Sequence, residues 1–495
     1  MAAHAGPRAL LLSDNGSAEV VGALNIKTKI GNHAVVLGAS MAGLLAARSL
    51  ADFFDTVTVV ERDPLPDTPT ARRGVPQGRH LHGLLARGAQ VLEELFPGIL
   101  DELVLDGAQY SDGRDLSQLH YDVGGHLTVR TGSAASLTAY LATRPFLEEH
   151  IRGRVRKIAN VTLLDEHDIV ELTATADRRR VTGARVVNRR THEDATLSAD
   201  LVVDATGRAA RTPTWLNHLG YERPPEDHVM VHLTYVSQLL RMAPDTLHEL
   251  AFLIGIVPGR PRGLGMLHCE KDTWMFTVMG IAGHEPPPDL AAMCEFVEDY
   301  APAHLLAAVQ AAETIGEPTR HRQPSSQWRR YDKMRRFPEG LLVTGDAICS
   351  FNPIYGQGMT VAALEALALR DCLSHGTRDL ARRFFRAAAA PIRQAWELSA
   401  NPDLSLPEID GTPPLLTRLL NAYVDRVLTA SEYDTAALNQ FFRVTSLIDP
   451  ATRLLRPGMI WRAARATKRR RQHSRGGHAM TAVSNSGDRP TAAAC

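Results

Sequence analysis

The chain has 495 residues, 55 basic and 55 acidic side chains, a formal net charge of +0 and 44% hydrophobic residues. That length suffices for two packed cores, and the even charge gives no ground for a nucleic-acid or strongly acidic partner. Five scattered cysteines (Cys269, Cys294, Cys349, Cys372, Cys495), without a C-x-x-C pair, fit reduced thiols in a cytoplasm, and neither a disulfide framework nor a zinc site.

The first 31 residues lack hydrophobic periodicity and read as a disordered extension; their short "ALLL" is too little for a signal peptide. Residues 32–220 open with an apolar strand "HAVVL", a glycine turn "GASMAG", a helix over 40–51 and a second strand "TVTVVE". Gly38 permits the sharp turn and Gly43 lets the helix lie close on the strand. The helix N-terminus, with its free N–H groups and positive dipole end, favours a pyrophosphate. Ser40 stands where such turns usually carry a middle glycine; its hydroxyl is suited to a phosphate or to capping the helix. Glu61 ends the second strand, where an acid accepts hydrogen bonds from an adenosine ribose.

Residues 221–335 hold strand-sized runs ("HVMVHLTYVS", "AFLIGIV", "WMFTVMGIAG") between Pro and Gly clusters, which predicts an antiparallel sheet with helices and a substrate-selecting role. Phe252, Leu253, Ile254, Ile256, Trp274, Phe276, Val278 and Met279 form its apolar stripes, read as core with one face available to an apolar ligand. Residues 336–375 return to the first domain through "LLVTGDAICSFNPIYGQGM". There Asp346, at the mouth of a buried strand, is placed to accept hydrogen bonds from ribityl hydroxyls, which FAD has and NAD lacks. Pro353, Gly356 and Gly358 make a side-chain-poor loop for a flat ring. The helix from Met359 turns its N-terminus toward the negative charge of a reduced flavin. The expected cofactor is FAD. Residues 376–465 read as helical and 466–495 as a disordered basic tail, better regarded as solvated than as a lipid or nucleic-acid contact. No run approaches the ~18–20 apolar residues of a membrane span.

The pair "GASMAG…VVER" and "GDAICSFNPIYGQGM" resembles the FAD-dependent monooxygenases of the p-hydroxybenzoate hydroxylase fold. "RRGVPQGRHLHGLLARGAQVLEELFPG" and "LVVDATGRAARTPTWLNHLGY" are similar to the branch with bacterial polyene epoxidases of polyether biosynthesis and, more distantly, squalene epoxidases. The resemblance implies an α/β fold: a Rossmann-like FAD-binding domain, an inserted antiparallel-sheet substrate domain and a helical C-terminal region. It implies that Gly38, Ser40, Met41, Ala42, Gly43, Glu61 and Arg62 hold the ADP half of FAD, and that Arg79 and Arg144 reach its phosphates or ribose. Asp346 would hold the ribityl chain, with Pro353 and Gly356 to Met359, Gly358 among them, bordering the ring.

Where related hydroxylases carry an Asp-Gly pair, "DATG" separates Asp204 from Gly207, which puts direct NADPH binding in doubt; no second nicotinamide-type glycine turn is present. Electrons then come from NADPH directly or from a separate flavin reductase. The implied activity is insertion of one atom of O₂ into an apolar alkene or aromatic substrate of secondary metabolism. A flavin-dependent alkene reductase of the geranylgeranyl-reductase type and a cyclase with structural FAD remain open. The absence of a Trp-x-Trp-x-Ile-Pro stretch argues against halogenation. Catalytic side chains are not required, since flavin carries the chemistry. No metal is expected. His80 and His82 lack a third ligand and read as packing near the cofactor or bonding to backbone; Cys349 reads as a small buried side chain.

Overall fold

The computed structural model describes residues 29–411, 413–466 and 468; most of the predicted extension (1–28), almost all of the predicted basic tail and Cys495 lie outside them. Residues 29–31, expected to be disordered, are part of the fold: Gly31 opens the first strand, Gly31–Leu37, and Lys29 Nζ donates to the carbonyls of Ala51 (2.9 Å) and Phe54 (2.7 Å).

The apolar runs assemble as their patterns require. Segments with apolar runs become the parallel strands of a five-stranded sheet, in the spatial order Leu341–Val343, Leu201–Asp204, Gly31–Leu37, Phe54–Val60, Val161–Leu164, the first three burying their apolar residues most completely. The helix Met41–Ala51 crosses from the central strand to its neighbour, and the helix Gly358–Ser374 packs against it. Ser49 Oγ donates to the carbonyl of Ala366 (2.8 Å) between these two helices. The mixed α/β architecture, with a FAD-type Rossmann domain, a second sheet and a helical C-terminal region, is the one expected from the sequence.

The second sheet has eight strands, and it reaches beyond residues 221–335. Its long members, Glu226–Arg241, Thr273–Gly280 and Glu313–Arg329, pair antiparallel. Leu119–Val123 adds in parallel to Ala251–Ile254, and Cys349–Ser350 pairs with the end of Glu313–Arg329. A three-stranded antiparallel sheet of His167–Ala174, Val181–Asn188 and Asp194–Ser198 was not foreseen. Helices Leu380–Asp403, Leu415–Ser431 and Thr435–Thr445 complete the C-terminal region.

Three glycines allow backbones to meet where the two halves of the first domain join. A Cβ on Gly43 would lie 1.8 Å from the carbonyl oxygen of Gly38, which itself has φ +101°. A Cβ on Gly345 (φ +67°) would lie 2.5 Å from Cβ of Ala42. The turn after the first strand and the turn before Asp346 are therefore in direct contact. Gly43→Ala must push the helix off the strand, an overpacking change worth about 1–3 kcal/mol or more. The expected outcome is a lower denaturant midpoint and early release of flavin fluorescence on unfolding.

Candidate functional site

The first turn is tied down by a buried charge network. Glu61, 6% exposed, accepts from the backbone N–H groups of Ala39 (2.9 Å) and Asp63 (3.1 Å) and pairs with Arg72 at 3.1 Å. Arg72 is shared with Glu148, and its Nε lies 3.0 Å from that carboxylate. Burial alone would depress the Arg72 guanidinium, but Glu148 and Glu61 outweigh it and raise its pKa. Burial likewise opposes ionisation of Glu148, and Arg144 and Arg72 overcome it, holding that carboxyl below its usual range.

Ser40 precedes the helix Met41–Ala51 without capping it by its side chain, contrary to one of the two roles expected of it. Its hydroxyl donates to Glu148 (3.0 Å) and accepts from Arg144 Nη2 (2.9 Å). The helix's first N–H groups thus have no side-chain cap, an arrangement suited to phosphate oxygens. Arg144 is buried at the start of the helix Arg144–Arg156, while Arg62 and Arg79 are exposed. Arg79 makes no ion pair among the described residues, so it is available to a ligand but not fixed by the protein. Arg72 and Glu148 were missed in the sequence, although Arg72 heads the quoted "RRGVPQG" stretch.

The second motif lies across the seam. Asp346 makes no hydrogen bond among the described residues; burial raises its pKa, and Arg144 and Arg208 counter that rise. Both arginines therefore act on the carboxylate that the sequence assigns to the ribityl chain. Behind it, Glu365 on the helix Gly358–Ser374 accepts from Thr344 Oγ1 (2.7 Å) and from the backbone N–H of Gly345 (2.6 Å). Met359 packs into the core, whereas Pro353 is exposed and Gly356 (φ +64°) and Gly358 are half-buried. The intervening loop is fixed from outside: Asn352 Nδ2 and Tyr355 Oη donate to Asp403 at 3.1 and 2.8 Å.

The eight-stranded sheet supplies the third wall, and its two faces differ in kind. Phe252, Ile254, Trp274, Phe276 and Val278 pack beneath the helices Leu290–Val297 and Ala303–Ala311. They are core, and Trp274 is not available to a ligand over the flavin. The opposite face carries Tyr235, Ser237 and Thr277, cross-strand partners of His321, Thr319 and Ser237 respectively. His80 docks there, its Nδ1 2.8 Å from Ser237 Oγ and its ring 4.5 Å edge-on from Tyr235. Burial, reinforced by His321, His82 and Arg79, drops its pKa to about 3, so it is neutral. His82 donates from Nδ1 to the carbonyl of His80 (3.0 Å). Met279, Ile256, Ile354 and Leu406 surround Tyr235 in a separate apolar cluster. Cys349 is buried in the main core.

These groups fit FAD. Buried polar atoms without a partner include His80 Nε2, Arg144 Nε, Gln357 Oε1 and Thr360 Oγ1, all on elements that border the seam. Asp204, by contrast, is fully spent: it accepts from Thr206 N–H (2.9 Å), Thr206 Oγ1 (2.6 Å) and Thr212 Oγ1. It shapes its own turn. Elsewhere, Glu102, Asp106 and His150 lie close together, with His150 Nε2 2.9 Å from Asp106 and Arg154 Nε 2.6 Å from Glu102.

Two outcomes follow from these contacts. Glu61→Ala removes the anchor of the Ala39 N–H and half of the pairing of Arg72. Charge-assisted hydrogen bonds of this kind are worth about 1.5–3 kcal/mol, so the FAD dissociation constant should rise at least about tenfold, read by flavin fluorescence titration. Burial lifts Glu365 from 4.5 to about 7. A carboxyl raised in the folded state contributes stability that is full below its unfolded pKa and lost as pH rises through the folded value. Stability should therefore fall between about pH 4.5 and 7, by on the order of 3 kcal/mol from this group. Glu365→Gln, measured by denaturant unfolding across that range, should flatten the fall.

The chain matches the FAD binding domain family, FAD_binding_3, over residues 32–385. It is 40% identical over 435 residues to Protein Rv3254 of Mycobacterium tuberculosis, covering 85% of this chain and 91% of that protein. It is 25% identical over 387 residues to a kynurenine 3-monooxygenase of Salinispora tropica, covering 72% and 76%. Among solved structures, p-nitrophenol 4-monooxygenase PnpA of Pseudomonas putida shares the fold at TM-score 0.58 and 16% identity, over 85% of this chain and 99% of that one. The flavin-dependent brominase Bmp2 does so at TM-score 0.60 and 12% identity, over 90% and 100%. By that match over residues 32–385, which spans the glycine turn and the Asp346 loop, the chain belongs to the FAD binding domain family and takes FAD as its cofactor.

Proposed function

We propose that the chain is an FAD-dependent monooxygenase that inserts one atom of O₂ into an apolar alkene or aromatic ring, by epoxidation or hydroxylation, in secondary metabolism. One observation carries this reading: the apolar cluster of Tyr235, Met279, Ile256, Ile354 and Leu406 abuts the loop between Asn352 and Gly358. An apolar substrate held there sits beside the ring-binding loop and away from water. Bound FAD, once reduced, supplies the activation of O₂.

The protein's own contribution is position and dryness. Asp403, at the end of the helix Leu380–Asp403, fixes the loop through Asn352 and Tyr355. Glu365 fixes the backbone of Gly345 and so the place of Asp346. Neutral His80 adds no charge to the sheet side, which favours an uncharged substrate. Exclusion of water keeps reactive oxygen for carbon, and a fixed pose converts proximity into rate. The resemblance to polyene epoxidases supports an alkene; kynurenine 3-monooxygenase and PnpA, by their names, support an aromatic ring. Asp204 is occupied by its own turn, which favours electrons delivered by a separate flavin reductase over NADPH bound directly.

The test is the origin of the product's oxygen. FAD-loaded protein, a flavin reductase and NADPH are supplied with polyenes and phenols under ¹⁸O₂, and then under H₂¹⁸O. Each new epoxide or hydroxyl should carry one heavy atom from the gas and none from water before ring opening. Unlabelled product, or full turnover without oxygen, would assign the chain to the reductase or cyclase alternatives.

A further inference from the structure

We propose that the C-terminal helices dock the chain on an anionic lipid surface, and that a cleft opening on this face admits the apolar substrate. The second clause rests on the apolar-substrate reading above; the first does not.

The exposed apolar side chains are concentrated here. Leu415 and Leu416 are 70% and 68% exposed, and Leu419 and Leu420 are exposed one turn further on. Spaced i, i+1, i+4 and i+5, they form one stripe on the helix Leu415–Ser431. Scattered surface leucines are ordinary; a contiguous stripe marks a contact surface. On the same helix, Tyr423 Oη donates to the carbonyl of Leu454 (2.5 Å), which brings in Leu455 and the helical segment 457–466. Leu455, Ile460 and Trp461 are exposed there, the last at 57%. The undersides of both helices share one core, including Val427, Leu428, Met459 and Ala463.

Charge selects the partner. The four acidic side chains between residues 413 and 468 are outnumbered by eight arginines and lysines, and each has a basic or histidine partner, Asp425 and Glu432 sharing the single His126. Asp425 and Glu432 lie 3.0 and 2.6 Å from His126, Asp449 lies 2.7 Å from Arg443, and Asp434 pairs with Arg462. Arg418, Arg426, Arg456 and Lys468 are exposed and make no ion pair among the described residues. Arg465 lies over the ring of Trp461 at 5.1 Å. The sequence continues from Lys468 as "KRRRQHSR". Apolar side chains with a tryptophan, ringed by unneutralised cations, suit a helix lying in the headgroup region of anionic lipids. No helix among the described residues is long and apolar enough to cross a membrane, so the contact is peripheral.

Shared side chains link this face to the loop. Leu404, Leu406 and Ile409 line a surface cleft together with Gly411, Arg418 and Asn421. Leu404, Leu406 and Ile409 also belong to the cluster around Tyr235, Met279 and Ile354 beside the ring-binding loop. One apolar wall thus runs from beside the exposed leucines to the loop.

The test uses the FAD-loaded full chain and vesicles of phosphatidylglycerol or phosphatidylcholine. Co-sedimentation should favour phosphatidylglycerol by about tenfold or more and weaken with salt. Lipids brominated on the acyl chain should quench tryptophan emission, and Trp461→Ser should abolish that quenching. Replacing Leu415, Leu416, Leu419 and Leu420 by serine should reduce vesicle binding while FAD content is kept. Equal or absent binding to the two vesicles would overturn the proposal. So would a dimer, on size exclusion, that the serine variant converts to monomer, since a second copy would then cover the stripe. Vesicle binding needs no turnover, so its failure and a failure of the oxygen-label experiment are distinguishable.

Discussion

The approach of Gly43 to the carbonyl of Gly38 sets the geometry on which the remainder of the site is built. With no Cβ between them, the helix Met41–Ala51 descends onto its strand, and Ala42 comes into contact with Gly345. That second approach brings a turn from the start of the chain against a turn some three hundred residues later. Only then do the helix start, Asp346 and the helix Gly358–Ser374 face a common seam. A packing restriction, three missing methyl groups, does what no pairwise attraction in the site could do alone.

The charge network around Ser40 acts on the same seam in a different way. Burying Glu61, Glu148, Arg72 and Arg144 carries a desolvation penalty of several kcal/mol per ion, recovered only because each has partners in good geometry. Breaking one such pair leaves a buried charge uncompensated, so the network resists rearrangement. Ser40, the residue that departs from the usual glycine, is the neutral hinge of this network: it donates to Glu148 and accepts from Arg144. Its hydroxyl links the helix start to the helix Arg144–Arg156, a contact a glycine could not make.

Much of the cofactor half was legible because its signals are local. A strand, a glycine turn, a helix and a terminal acid lie within thirty-odd residues, and "GDAICSFNPIYGQGM" is contiguous, so each motif could be read without knowing the fold. The partners Arg72 and Glu148 were not legible, because their pairing joins segments whose separation in sequence carries no pattern. The sheet was half legible. Alternation in "WMFTVMG" separates Trp274, Phe276 and Val278 from Met275, Thr277 and Met279, but periodicity cannot say which set meets helices and which meets the flavin domain. That choice is made by the helices Leu290–Val297 and Ala303–Ala311, which cover the more apolar face. The extra strands from 119–127 and 349–350 carry no pattern of their own for a related reason: they are short, and only their neighbours in the sheet make them strands.

Those borrowed strands have a consequence for how such proteins diversify. Trp328 pairs with Cys349 and Gln327 with Ser350, immediately before the loop between Asn352 and Gly358, while Ala251–Ile254 leans on a strand from far upstream. The eight-stranded sheet is therefore not a cassette delimited by its own two ends. A chimera cut at 221 and 335 would leave its outer edges paired with foreign strands and would shift the loop they lead into. Changing side chains on the sheet's inner face is accordingly less disruptive to the fold than grafting the sheet, since substitution leaves the shared hydrogen bonds intact and recombination breaks them.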